Sequence, residues 1–222
     1  MSVMKKAVMI LSGGLDSTTL LYKLIDEWYE VNAISFFYWQ NHSKELECAK
    51  KTCEKLWVNH KLVDISFLKD LLKSSLLDWA DAIPEWHYQV ENMKATVVPN
   101  RNMIFTSIAV WYGQSIGADI VALGIHNGDH DIYPDCREEF IEKLNDVVEI
   151  SDWNKISLYY PLINMDKADI VKEWLELWVD YWLTWTCYKW LDKPCGKCGS
   201  CTERLEAFKK IWTVDPLDYY QS

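Results

Sequence analysis

The chain has 222 residues, enough for one good hydrophobic core with a small appendage, and carries a formal net charge of −10. That charge excludes a general electrostatic attraction to nucleic acid and favours a small-molecule substrate. No apolar run approaches the roughly 18 residues that span a bilayer, and seven cysteines, four of them after residue 186, suit a metal site in a reducing compartment better than a disulfide framework. A soluble, cytoplasmic protein with no membrane partner is expected.

Along the chain, strands are predicted at 6–11, 30–37, 60–65 and 119–124, and helices at 16–26, 43–56, 101–117, 137–148 and 166–177. Strands separated by helices imply right-handed βαβ units, hence an α/β fold with a doubly wound parallel sheet. In the helix at 43–56, Leu46, Ala49, Cys53 and Leu56 recur at three- and four-residue steps and make one buried face, so Cys53 reads as core. Residues 67–100 read as an irregular excursion, fit for a lid or a substrate wall. The expected division is a nucleotide-binding α/β domain over 1–180 and a small cysteine-bearing region over 181–222.

Thirteen tryptophans against eight glycines is an unusual balance. Trp28, Trp57 and Trp178 stand just after helical patterns, where a left-handed residue commonly closes the helix and glycine is the usual choice. Either these indoles take strained left-handed positions, as in a substituted version of a glycine-richer chain, or the helices end differently and the rings cover core.

The segment Ser12-Gly13-Gly14-Leu15-Asp16-Ser17-Thr18 follows the first strand and opens the first helix. Paired glycines let backbone approach an anion, hydroxyls donate to phosphate oxygens, and the exposed N–H groups at the helix start favour negative charge. The segment has neither the lysine of the Walker loop nor the three-glycine spacing of the dinucleotide fingerprint. It resembles instead the PP-loop of the ATP pyrophosphatases, which split ATP between the α- and β-phosphates. Ligands of open parallel sheets bind beyond the carboxyl ends of the strands, so the stretch Gly124 to Asp131 should border the same pocket. His126 and Asp129 there read as contacts to ATP or metal, or as part of a solvated loop.

Cys187, Cys195, Cys198 and Cys201, with Pro194 and Gly196 shaping the turns, have the spacing of a closed four-thiolate site. Such a site has no open position and is structural; zinc is the expected ion, with an iron–sulfur cluster as the alternative.

Together with Tyr38-Trp39-Gln40-Asn41-His42, Glu85-Trp86-His87-Tyr88, Val98-Pro99-Asn100-Arg101-Asn102 and Thr184-Trp185-Thr186-Cys187-Tyr188, these motifs resemble the 7-cyano-7-deazaguanine synthase family over nearly the whole chain. The family pattern has glycine where this chain carries Trp39, Trp86, Trp178 and Trp190. The resemblance implies an adenine nucleotide α-hydrolase-like sheet with a small C-terminal zinc-binding subdomain. It also implies an ATP-dependent ligase acting on 7-carboxy-7-deazaguanine and ammonia in queuosine biosynthesis, with no nucleic-acid partner and a homodimer as the assembly. Leu11, Ser12, Gly13, Gly14, Leu15, Asp16, Ser17, Thr18, Gly124 and His126 would bind ATP, with Asp16 carrying Mg²⁺. Arg101 would act with Asp16 in catalysis, or form a surface ion pair. Gln40, His87, Arg101 and Asp129 would face the substrate. Two rival readings are a PP-loop enzyme that modifies tRNA, disfavoured by the acidic charge, and a zinc-ribbon interaction protein that senses ATP without turning it over.

Overall fold

The computed structural model describes residues 4–38, 44–71, 97–126, 128, 133–189 and 191–220. Strands β1 (Lys6–Ile10), β2 (Glu30–Phe37), β3 (Asn59–Asp64), β4 (Ile120–Ala122) and β5 (Ser157–Tyr159) form one sheet in the order β3-β2-β1-β4-β5. Every pairing is parallel. The connecting helices are α1 (Leu15–Asp26), α2 (Lys44–Leu56), α3 (Arg101–Ile116), α4 (Glu138–Ile150) and α5 (Lys167–Leu177), followed by α6 (Gly199–Lys210).

Central strand β1 shows why the sheet is covered on both faces. Its middle residues Ala7, Val8 and Met9 are fully buried, and successive side chains of a strand point to opposite sides. Ala7 and Met9 join a core with leucines of α1, Ala49 and Cys53 of α2, Ile170 and Val171 of α5 and Phe208 of α6. Val8 faces the other way, into a core built with Phe105, Ala109 and Val110 of α3 and Ile141 and Val148 of α4. The doubly wound reading therefore holds, and Cys53 is core. Two elements escaped it: β5 has only three residues, too few for a period to register, and α6 begins inside the cysteine cluster. The strand predicted at 119–124 shortens to Ile120–Ala122, because the chain after it turns out toward the carboxyl edge of the sheet.

Strand order reverses between β1 and β4, which places a crevice at their carboxyl ends. The loops that leave these two strands border it.

Helix ends settle the question about tryptophan. Trp28, Trp57 and Trp178 have φ of 63°, 56° and 55°, and Trp212 after α6 has 59°. The chain then closes on itself as it does after α3, where Gly117 takes the left-handed position and the Ala118 N–H donates to the Gly113 carbonyl at 2.9 Å. Equivalent bonds run from Tyr29 to Leu24 (3.0 Å), Val58 to Cys53 (2.9 Å) and Thr213 to Phe208 (3.0 Å). The four indoles are 81–97 % exposed, so they do not cover core. Nothing in the structure explains why tryptophan stands there.

Left-handed backbone costs a residue with a side chain about 1–2 kcal/mol. Trp28→Gly, Trp57→Gly, Trp178→Gly and Trp212→Gly should each raise the melting temperature by about 2–8 °C at this chain length. Thermal unfolding of the single variants checks this; unchanged or lower midpoints would mean that the indoles contribute more than the strain costs.

Candidate active site

The turn between β1 and α1 is shaped by what surrounds Gly13. Its φ is +87°, and a Cβ placed on it would lie 2.0 Å from the Glu45 carbonyl oxygen and 2.9 Å from the Ala49 nitrogen, so backbone of α2 fills the space a side chain would need. The Gly13 carbonyl accepts the Trp185 N–H at 3.0 Å. Around this turn the hydroxyls are already organised: Ser12 Oγ and Ser17 Oγ share a hydrogen bond at 2.9 Å, and Ser12 Oγ accepts the Gly14 N–H at 3.2 Å. Gly14 precedes α1 without a side-chain cap, which leaves N–H groups of the first turn for an anion. Thr18 Oγ1 and Asp16 Oδ1 are buried without a hydrogen-bond partner among the described residues, the condition of groups that await a ligand.

Gly124 brings the exit of β4 against this helix start, where a Cβ would meet Ser17 Cα at 3.0 Å. Beyond it, the Gly128 N–H donates to His126 Nδ1 at 3.1 Å, so in the neutral ring the proton sits on Nε2, which lies 3.7 Å from Asp16 Oδ2. Lys167, the first residue of α5, sets its ammonium 2.9 Å from the same Asp16 oxygen and 3.3 Å from Glu203 Oε2 of α6. Burial alone would raise the Asp16 pKa, but the Lys167 ammonium, with His126 beside it, outweighs this and holds the carboxyl below the usual range.

Arg101 opens α3, whose start is fixed by buried Asp135: its carboxylate accepts the Asn102 N–H at 2.9 Å. The guanidinium lies 5.9 Å from the Tyr133 ring centre and beside Tyr38, and these neighbours more than offset its burial, so it stays charged. Glu45 also lines the cleft; burial pushes its carboxyl up to about 7 against the lowering effect of Arg101.

The far wall comes from the C-terminal part. The sulfurs of Cys187, Cys195, Cys198 and Cys201 lie within 4.8 Å of one another, all buried. Backbone N–H groups of Lys189 and Cys195 point at the Cys187 sulfur at 3.3 and 3.4 Å, and those of Lys197 and Cys198 at the Cys195 sulfur at 3.4 and 3.3 Å. Convergent sulfurs that receive N–H donors are a fit for a tetrahedral metal ion bound by thiolates. Thr186 and Tyr188 beside this cluster, and Ser200 and Glu203 from α6, line the same cleft as Ser12, Asp16 and Arg101.

Arg204 holds that wall from behind. Its guanidinium grips Asp215 through two bonds of 2.6 and 3.0 Å, donates to Thr184 Oγ1 at 2.8 Å and to the Tyr181 carbonyl at 3.4 Å, and is almost completely buried.

Of the residues expected from sequence, Leu11, Ser12, Gly14, Asp16, Ser17, Gly124 and Arg101 line one cleft, while Thr18, His126 and Leu15 are buried and, like Gly13, do not line it. Gln40, His87 and Asp129 lie outside the described residues, as do Trp39, Trp86 and Trp190. Sequence reasoning missed Lys167, Glu203 and Glu45. Lysine at a helix start next to Asp166 looks like a solvated end, and nothing local links position 167 to position 16.

A family model described as "Queuosine biosynthesis protein QueC" matches residues 6–212. The 7-cyano-7-deazaguanine synthase of Methanoregula boonei is 53% identical over 214 residues, covering 96% of this chain and 99% of that protein. That of Pseudoalteromonas atlantica is 51% identical over 217 residues, covering 98% and 100%. A solved NMN synthetase from Francisella tularensis shares the fold, with a TM-score of 0.51 at 17% identity, covering 81% of this chain and 64% of that one. The chain belongs to the QueC family.

The Asp16–Lys167 pair predicts a pH effect. A carboxyl held below its unfolded value of 3.8 stabilises the fold above that pH, and the contribution is lost as pH falls through the lower folded pKa. In Lys167→Met the burial cost is no longer offset by the ammonium, so the Asp16 pKa should rise. Carboxyl carbon NMR titration of the two proteins checks it, and an unmoved Asp16 would show that Lys167 is not its main partner.

Proposed function

We propose that this chain converts 7-carboxy-7-deazaguanine and ammonia to 7-cyano-7-deazaguanine, with ATP cleaved to AMP and pyrophosphate. The carrying observation is that relatives about half identical over nearly the full chain are 7-cyano-7-deazaguanine synthases. The cleft supports it, because a glycine turn at a helix start, a paired carboxylate and lysine, and a half-buried arginine line one space.

A carboxylate is a poor electrophile, and its oxygen must become a leaving group before ammonia can displace it. Adenylation does this: the substrate carboxylate attacks the α-phosphorus, and pyrophosphate leaves. In this reading Ser12, Gly13, Gly14, Ser17 and Thr18 hold the departing pyrophosphate through hydroxyl and backbone N–H groups. Lys167, between Asp16 and Glu203, supplies the positive charge this leaving group needs. Asp16 would hold Mg²⁺, which when bound screens the phosphate oxygens and steadies the charge that develops on them. Leu11 and Leu15 seat the loop, while Gly124 and His126 shape the nucleotide side of the cleft. Arg101 binds the substrate carboxylate with its planar fork, and Gln40, His87 and Asp129 complete the substrate wall. Zinc on the four cysteines is structural. We further propose a nucleotide-binding domain over 1–180 with the zinc-bearing region over 181–222, a homodimer, and a cytoplasmic site of action.

ATP should yield AMP and pyrophosphate only when the carboxylic acid is present, and Asp16→Ala should lower turnover by about 100-fold or more, with a smaller effect on binding of the acid. Nucleotide product analysis reads both. ADP as the direct product, or an unchanged rate in Asp16→Ala, would overturn the adenylation reading.

The purified chain should carry about one Zn²⁺. Metal analysis of Cys→Ser variants tests the ligand set: Cys198→Ser should lose the ion, Cys48→Ser and Cys136→Ser should keep it, and the reverse pattern would refute the assignment.

A further inference from the structure

Three carboxylates line the cleft among the described residues: Asp16, Glu45 and Glu203. Asp16 and Glu203 both pair with the Lys167 ammonium, at 2.9 and 3.3 Å, and a carboxylate held by a lysine is a poor proton acceptor. Glu45 is placed differently. It sits in the first turn of α2, its own backbone carbonyl wedged against Gly13, and its side chain faces the part of the cleft where Arg101 lies.

We propose that Glu45 is the general base that removes protons from nitrogen in the ammonia-dependent half of the reaction. The inference rests on the adenylation reading above, in which Arg101 holds the carboxyl group whose carbon is attacked. In the first step ammonia adds to that carbon, a C–N bond forms, the C–O bond to AMP breaks, and one N–H proton passes to Glu45. Glu45 returns that proton to water; the amide oxygen then attacks the α-phosphorus of a second ATP, pyrophosphate leaves, and the nitrogen gives a proton to Glu45, which again passes it to water. In the last step the C–O bond to the second AMP breaks as the remaining N–H electron pair becomes the third C–N bond, and Glu45 takes that proton too. No oxidant or reductant is needed.

The surroundings suit this work. Arg101 from α3 and Cys48, one turn along α2, interact electrostatically with Glu45, and Asp16, Lys167, Glu203, Tyr38, Tyr133 and Tyr188 line the same cleft. Burial raises the carboxyl to about 7, close to where a base both accepts and releases protons at neutral pH.

The test compares wild type, Glu45→Gln and Glu45→Asp in two assays: ATP–pyrophosphate exchange with the carboxylic acid and no ammonia, and single-turnover nitrile formation with ammonium across pH. Glu45→Gln should slow nitrile formation by about 100-fold or more while exchange falls by less than about tenfold. The acidic limb of the wild-type rate profile near pH 7 should vanish, and Glu45→Asp should recover part of the rate. Nitrile formation by Glu45→Gln within about threefold of wild type, or equal loss of exchange and nitrile formation, or no recovery in Glu45→Asp, would overturn the assignment. Absence of exchange in the wild type would instead sink adenylation itself, and the role of Glu45 with it.

Discussion

Gly13 has no side chain, and three parts of the molecule meet in the space this leaves. The backbone of α2 passes where a Cβ would be, 2.0 Å from the Glu45 carbonyl; the carbonyl of Gly13 takes the Trp185 N–H; and the left-handed φ of +87° turns the chain from β1 into α1. A substitution to alanine would meet both the clash and the backbone strain. The close approach also fixes the site. The phosphate-facing turn, the helix that carries Glu45 and the segment that leads to Cys187 are held in register by one residue.

Charge completes what backbone contact begins. Asp16 and Glu203 come from helices far apart in sequence, and Lys167 from a third, yet one ammonium lies within 3.3 Å of both carboxylates. Removing one member of such a partly buried set leaves the others uncompensated, at a cost that exceeds what the pair itself contributes to stability. The lysine thus keeps two negative groups tolerable beside the turn that opens α1. In the proposed reaction its charge would meet the leaving pyrophosphate.

The legible parts of this chain were those whose physics is local. A run of apolar residues, a glycine turn and a helix start are contiguous, so the strand-turn-helix from Ala7 through Ser12 to Thr18 could be read, and cysteine spacing announces its own geometry. The left-handed positions of Trp28, Trp57 and Trp178 were legible for the same reason, since where a helix stops and a strand begins limits the backbone between them. Lys167, Glu203 and Glu45 were not, because each acquires meaning only through residues that the topology brings near. β5 was lost to brevity and α6 to the cysteines that overlap its start.

The cysteine cluster is more than a staple on an appendage. The chain from Tyr181 to Cys187 is anchored at two points, on one side by Arg204, which is buried against Asp215 and donates to Thr184, and on the other by the cluster itself. Trp185, between the anchors, gives its backbone N–H to Gly13 and its indole N–H to the Cys187 carbonyl at 3.0 Å, while the Lys44 ammonium lies 4.5 Å from its ring centre. Either anchor alone leaves Trp185 attached at one end of a short segment, free to rotate away from the turn. With both in place, Thr186 and Tyr188 are presented to the cleft by a strap whose ends cannot move independently. Tyr181 adds a link from the strap to α1, its hydroxyl 2.6 Å from Thr19 Oγ1. A metal on the four thiolates would therefore act on the cleft mechanically, by holding one end of the strap whose Trp185 N–H seats the Gly13 turn.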